Sequence, residues 1–135
     1  MILDDIGDLL SSGGIGTVGT DLFKGFMPAT PDAAVCIYEY AGRPSAHTMA
    51  SAAGQAVAEF PRVQVVCRNV DYEYEAARSK AHSVFKLLDG MPARTINGTA
   101  YKAAFSLGSP FPMGRDEPGR VSIACNFEVI KALHA

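Results

Sequence analysis

Three stretches of the 135-residue sequence have the pattern of β-strands, and they constrain the fold more than any other feature. Residues 33–40 (AAVCIYEY) are rich in β-branched and aromatic side chains, and residues 62–69 (RVQVVCRN) have one fully apolar face and one mixed face. Residues 120–131 alternate most regularly, with apolar side chains from Val121 to Val129 at every second position. Because successive side chains of a strand point to opposite faces, each stretch offers apolar side chains to a shared core.

The first residues have the periodicity of an amphipathic helix. Between residues 2 and 12 the apolar side chains recur at helical spacing, and Asp4, Asp5 and Asp8 share the remaining face. We expect these three carboxylates to be solvated, and the first two to be favoured by the positive end of the helix dipole.

A longer helix and a hairpin are predicted further along the chain. The helix is expected to begin with Asp71 as its capping residue and to run to about residue 89, where Gly90 suits the left-handed terminating position. Asn97 and Gly98 then favour a tight type I′ turn, with residues 99–107 as the second arm of a hairpin.

The remaining segments complete the predicted order of elements. Residues 17–27 are expected to contain a strand, residues 45–56 an exposed, mobile connection, and residues 108–119, with three prolines and three glycines, a loop. The sequence therefore predicts an α+β domain with a largely antiparallel sheet of about four to five strands and helices packed on one face. We expect residues 1–135 to form one domain.

Composition disfavours several functional classes. The 12 basic and 14 acidic residues give a net charge of −2, whereas domains that bind duplex nucleic acid normally have a basic excess. No apolar run approaches the roughly 20 residues that a membrane helix needs, and the acidic start MILDDIGDLL is unlike a signal peptide. We expect the cysteines to be buried and reduced, because their spacing fits no metal motif. They are Cys36, Cys67 and Cys125.

The sequence contains no recognisable catalytic or metal-binding motif. The three histidines, in a predicted loop, on the long helix and near the C-terminus, form no ligand pair; they are His47, His82 and His134. The adjacent Asp116 and Glu117 lie between two arginines in a predicted loop, where carboxylates are normally solvated. These features favour a protein that is not an enzyme and needs no cofactor or metal. The alternative is a small ligand-binding or enzymatic domain with a deep pocket lined by His82, Glu117 and a cysteine.

The segment 108–119 is the best candidate for a protein interface. Phe111 and Met113 stand between prolines and beside a dense group of charges, and exposed aromatic and methionine side chains next to arginine are typical of interfaces. Prolines also reduce the entropy that is lost on docking. The candidate contact residues are Phe111, Met113, Arg115, Asp116, Glu117 and Arg120.

Taken together, most of the chain outside residues 41–58 resembles the small phage minor capsid proteins grouped with the tail terminators, also called tail completion proteins. The motifs that carry the resemblance are Pro61-x-Val63-Gln64-Val65-x-x-Arg68, the Asn97-Gly98 hairpin, and Asp116-Glu117-x-Gly119-Arg120 leading into Asn126-Phe127. None of them is catalytic.

The resemblance implies a structural subunit of the virion that assembles in the host cytoplasm into a ring, usually of six copies. Such a ring caps the head-proximal end of the tail tube and joins it to the head, so the implied partners are copies of the chain itself, the tail tube protein and head-tail connector proteins. DNA would pass through without specific binding, and no membrane is involved. A neck or connector completion subunit is the related alternative. Because a basic lumen would retain phosphates, we expect a neutral or acidic one, with Asp4, Asp5 and Asp8 as candidates.

Overall fold

The computed structural model describes residues 1–47 and 56–132, and strands dominate it. A short 3₁₀ turn over Asp71–Glu73 joins the third strand to the second helix. In chain order the elements are α1 (Ile2–Ser12), β1 (Leu22–Lys24), β2 (Ala34–His47), β3 (Ala56–Val70), α2 (Tyr74–Leu88), β4 (Arg94–Ile96), β5 (Thr99–Ser106), β6 (Phe111–Arg115) and β7 (Arg120–Ala132).

All seven strands belong to one sheet, in the order β1-β2-β3-β7-β5-β4, and β6 pairs with β7 beside β5. The β1–β2 pair is parallel and the other pairs are antiparallel. One edge of β7 pairs with β3 along nearly its whole length, while its other edge is shared by β6 near its start and β5 near its end. The sheet curls into a mixed half-barrel, and 49% of the described residues lie in strands.

The core lies between the inner face of this sheet and the two helices. The alternating apolar side chains of β3 and β7 form its floor, which α2 covers with its apolar stripe, while α1 packs its own stripe on β1 and β2. Each fully buried leucine, isoleucine or valine contributes about 2 kcal/mol through removal of apolar surface from water. The largest fully buried side chains include Tyr101, Phe127, Ile6, Leu10 and Leu88.

The predicted fold class is wrong. In place of an α+β domain with a largely antiparallel sheet of four to five strands and helices packed on one face, residues 1–47 and 56–132 form a mostly-β, seven-stranded mixed half-barrel with only two helices. The difference arises because strands continue through, or begin within, segments whose glycines and prolines indicated breaks.

The β2–β3 hairpin is the clearest case. Register shifts on either side of Arg43 let β2 continue past Gly42 and Pro44 to His47. A Cβ atom at Gly42 would lie only 2.1 Å from the carbonyl oxygen of Phe60, so glycine permits the close approach of the two strands. The predicted connection over residues 45–56 is therefore strand at both ends, and its remainder, residues 48–55, lies outside the described residues.

Two other predicted segments also differ. The supposed loop over residues 108–119 contains β6, which tolerates proline because an edge strand needs hydrogen bonds on one side only. In residues 17–27 only the three residues of β1 form a strand. The Asp71 side chain makes no capping hydrogen bond, since a 3₁₀ turn precedes α2.

Several local predictions are confirmed. The first helix spans residues 2–12 as expected. Gly90, two residues after the end of α2, has the positive φ of 74° that was expected of the terminating residue. Asn97 and Gly98 have φ values of 50° and 80°, as the predicted hairpin turn requires. The three cysteines are buried and free.

Candidate docking surface

The outward-facing side of the sheet has a groove beside β6, and this groove contains much of the predicted interface segment. It has a volume of about 390 Å³, with Met113 on one wall and Tyr38 on the other. Phe111 and Met113 are 38% and 52% exposed, which is unusual for large apolar side chains. The full lining consists of Tyr38, Gln64, Val66, Met113, Gly114, Arg115, Asp116 and Ser122.

The position of β6 follows from the length of β7. Because β5 pairs only with the second half of β7, the first half has a free edge, and β6 pairs with Val121–Ala124 there. A register shift between Pro112 and Gly114 bends β6, and Gly114 has a φ of 94° that favours glycine. At its start, Arg78 of α2 donates a 2.7 Å hydrogen bond to the carbonyl oxygen of Pro110.

The groove floor is polar and internally satisfied. Gln64 donates a 2.9 Å hydrogen bond to Asn126 across β3 and β7. Burial, followed by a hydrogen bond with Cys36, raises the pKa of Tyr38 to about 12. Its hydroxyl group therefore stays protonated at neutral pH and can donate to a docked partner.

The charged members of the predicted interface mainly bind one another and the rest of the chain. Arg115 pairs with Asp71 at 2.8 Å, and Arg120 pairs with Asp116 at 2.7 Å. The backbone N–H of Arg120, and then its side chain, hold the pKa of Asp116 below its usual value. The Arg120 side chain is only 12% exposed, and its ion pair with Asp116 holds the turn between β6 and β7 in place. Glu117, in the same turn, is exposed.

The three aspartates of α1 have different environments. Asp5 is buried, accepting hydrogen bonds from the Tyr101 hydroxyl and from Asn97 at 3.0 Å, so the expected solvated position is wrong for this residue. Asp8 is exposed and accepts a 2.8 Å bond from Asn97. Asp4 is partly exposed, and its hydrogen bond from Lys24 lowers its pKa.

A buried ionic cluster on the outward face was missed in the sequence. Glu128 is 2% exposed, and Arg43 binds its carboxylate through two 3.0 Å contacts, while Arg62 adds a 3.2 Å hydrogen bond. The Arg43 guanidinium also lies 4.2 Å above the Phe60 ring. Burial alone would raise the pKa of Glu128, but the two arginines outweigh it and lower the pKa. In the sequence Glu128 alternates with the apolar positions of the last strand, and no local pattern indicates that arginines from two other strands cover it.

The residues of the alternative pocket do not line one described groove. His82 is exposed on α2 and stacks on Phe85, and the groove beside it contains neither Glu117 nor a cysteine. Burial raises the pKa of Cys67 to about 12, so this thiol is a poor nucleophile. Within residues 1–47 and 56–132, no group of three or more His, Cys, Asp or Glu side chains could hold a metal ion. None of the described helices has the length and apolarity to cross a membrane.

A shallow groove with exposed apolar side chains at a strand edge is typical of surfaces that contact other proteins. The model of the family described as bacteriophage tail terminator protein matches residues 9–133, and the chain belongs to this family. Its role is that of a tail terminator, a structural protein of the virion. This is a structural family, which favours a non-enzymatic role.

Among solved structures, the fold is similar to that of a chain from the virion of a native gene transfer agent particle. The two chains superpose with a TM-score of 0.68 at 13% identity, over 98% of this chain and 95% of the other. This likeness shows a shared fold. A comparison with curated protein sequences gives no match.

Proposed function

We propose that the protein assembles, in the host cytoplasm, into a ring of six copies on the head-proximal end of the tail tube. The ring stops growth of the tube and offers the surface on which head-tail connector proteins dock. The observation that carries this proposal is the family match over residues 9–133, to which the unpaired strand edges on the two sides of the described sheet add a physical basis. A closed ring requires two different patches on each copy, and the two edges meet this requirement.

In this proposal the exposed side chains of β6 contact a neighbouring copy or the tail tube. Phe111 and Met113 are the apolar anchors, and Glu117 is an exposed charge beside them. Arg115, Asp116 and Arg120 have partners within the chain, so their contribution is to hold the segment in place as well as to contact partners.

DNA passes through the ring without specific binding, and the lumen is neutral or acidic. The net charge of −2 and the surface carboxylates of Asp4 and Asp8 support this part of the proposal, while buried Asp5 does not contribute. A channel lined by lysine and arginine in an experimental ring structure would contradict it.

The test is growth of tail tubes from purified tube protein, with and without this protein. We expect the added protein to stop tube growth and to be visible as an annulus at one end in negative-stain micrographs. Phe111→Ala and Arg115→Glu variants should each weaken capping, with Ser83→Ala on the outer surface of α2 as a matched control. Tubes that grow to the same length with and without the protein would contradict the proposal.

A further inference from the structure

We infer that neighbouring copies join by strand pairing, with the open edge of β6 in one copy hydrogen-bonded to the open edge of β2 in the next. This inference rests on the proposed ring and specifies its contact. It is drawn from the unpaired edges, their direction and the side chains beside them.

Among the described residues, the open edge of β2 begins where β1 ends. On this edge β1 covers only Val35–Ile37, although β2 extends to residue 47. The backbone N–H of Val35 donates to Asp21, and the carbonyl oxygen of Ile37 accepts from Gly25, each at 2.8 Å. Alternate residues therefore direct their peptide groups to this edge, and Glu39 is the next of them. Peptide groups at such an edge are a template for another strand.

The second open edge belongs to β6. Its five residues are all exposed, and within the described part of the chain it pairs with β7 alone. Pro112 has no N–H to donate, and the register shift beside it interrupts the strand. These features limit added pairing to a few residues, which favours one register and prevents continued growth of the sheet.

The directions of the two strands are compatible. Every step along β2-β3-β7-β6 is antiparallel, so β6 runs opposite to β2, and pairing between copies would again be antiparallel. Within one copy, β6 is level with the first residues of β2, whereas the open edge begins at Glu39. Pairing would therefore shift each copy along the strand direction relative to the one before it. A sheet that closes on itself requires such a shift, because its strands are tilted relative to the axis.

Opposite charges lie on the same face of the two edges. Glu39 alternates with Ile37 and so projects from the inner face of the sheet. Arg115 faces the same way, because its partner in β7 is the inward-facing Val121. The antiparallel register that places Glu39 opposite Arg115 therefore brings a second carboxylate to a guanidinium that Asp71 of the same copy already binds at 2.8 Å.

Apolar side chains lie on the opposite face of both edges. Tyr40 is next to Glu39 and points outward, and Phe111 points outward with its partner Ala124. Each of the two aromatic side chains is 38% exposed. Strand pairing would bring them to the same side of the joined sheet, where burial of their exposed surface stabilises the contact.

Charge reversal tests the register. We expect Glu39→Arg and Arg115→Glu each to raise, by at least about tenfold, the protein concentration at which half of the copies are in rings, since the repulsion recurs at every contact. The double variant, or an equal mixture of the two single variants, should return this concentration to within about threefold of the original. Lys102→Glu, at an exposed position of β5, is the control and should have no effect.

A proline substitution tests the backbone pairing. Glu39→Pro removes an N–H from the open edge and none from the β2–β3 ladder, so the monomer should fold and ring formation should be lost. Glu39→Ala, which keeps the N–H, should form rings more readily than the proline variant. Thr95→Pro is the control, because in the two-residue hairpin Thr95 also directs its N–H outward from an edge strand.

Rings that form equally well in the charge-reversal and proline variants would overturn the strand contact and leave the ring itself in place. Failure of the unaltered protein to form rings at any concentration would instead overturn the proposed ring, and this contact with it.

Discussion

At the scale of single residues, Glu128 shows how a polar strand face can become buried. The residue faces away from the main core, but Arg43 and Arg62 cover it from neighbouring strands, and Arg43 is itself held against Phe60. The carboxylate exchanges water for several charge-assisted hydrogen bonds. This cluster ties β2, β3 and β7 together at the level where β2 is bulged.

We expect Glu128→Gln to lower the free energy of unfolding at pH 7 by about 2 kcal/mol, because two arginines lose their carboxylate. The pKa of Glu128 in the folded protein is below its ordinary value of 4.5. Its contribution is therefore complete above about pH 5.5 and is lost as the pH falls through the folded pKa. Urea unfolding at several pH values checks this. A difference from the unaltered protein that stays constant down to about pH 3 would contradict it; Glu117→Gln, at an exposed site, is the control.

A second prediction concerns Gly42. Gly42→Ala should destabilise the protein by about 2 kcal/mol, because its Cβ atom would clash with the Phe60 backbone and force the two strands apart. Gly108→Ala is the matched control, since nothing lies within 4 Å of its Cβ position and its φ is not positive. Thermal unfolding of both variants measures the difference. Equal melting temperatures for the two would show that the hairpin relaxes freely.

At the scale of elements, the sequence pattern correctly predicted those elements that depend mainly on interactions between residues close in the chain. The amphipathic first helix and the Asn97–Gly98 turn depend on neighbouring residues alone and were predicted correctly. The five residues of β6 are all exposed and include one proline and one glycine, so their sequence does not indicate a strand. They form one because the first half of β7 offers an edge with which they can pair. The candidate interface segment was proposed from its composition, whereas Tyr38 and Gln64, which complete its groove, come from distant strands and carry no local signal.

The third prediction follows from the different burial of two phenylalanines. We expect Phe111→Ala to change the melting temperature by less than about 3 °C, because its partly exposed ring contributes little to the core. Phe127→Ala should destabilise the fold by about 4 kcal/mol, since that side chain is fully buried. Calorimetry measures the stability of both variants. Although it folds normally, the Phe111 variant should cap tail tubes less well than the unaltered protein. A large loss of stability in Phe111→Ala would assign its ring to folding instead of docking.

At the scale of the whole molecule, the core is complete within one copy while the sheet is not. Apolar side chains from both helices and the inner strand faces enclose Tyr101 and Phe127 without help from a partner. The unpaired edges of β2 and β6 lie outside this core. In the proposed ring, folding and assembly therefore depend on different surfaces, and we expect each copy to fold before it joins the ring.

This separation leads to the fourth prediction, that the diluted protein is a folded monomer. Since ring contacts add no residues to the core, the melting temperature of dilute protein should not depend on its concentration, whereas an obligate oligomer would show such a dependence. Sedimentation at micromolar concentration should give a species near the chain mass of 14.3 kDa, with larger species increasing on concentration. Glu39→Pro should remove the larger species and leave the monomer unchanged. Sedimentation that detects only large oligomers, or a melting temperature that falls on dilution, would mean that subunits fold only as they assemble.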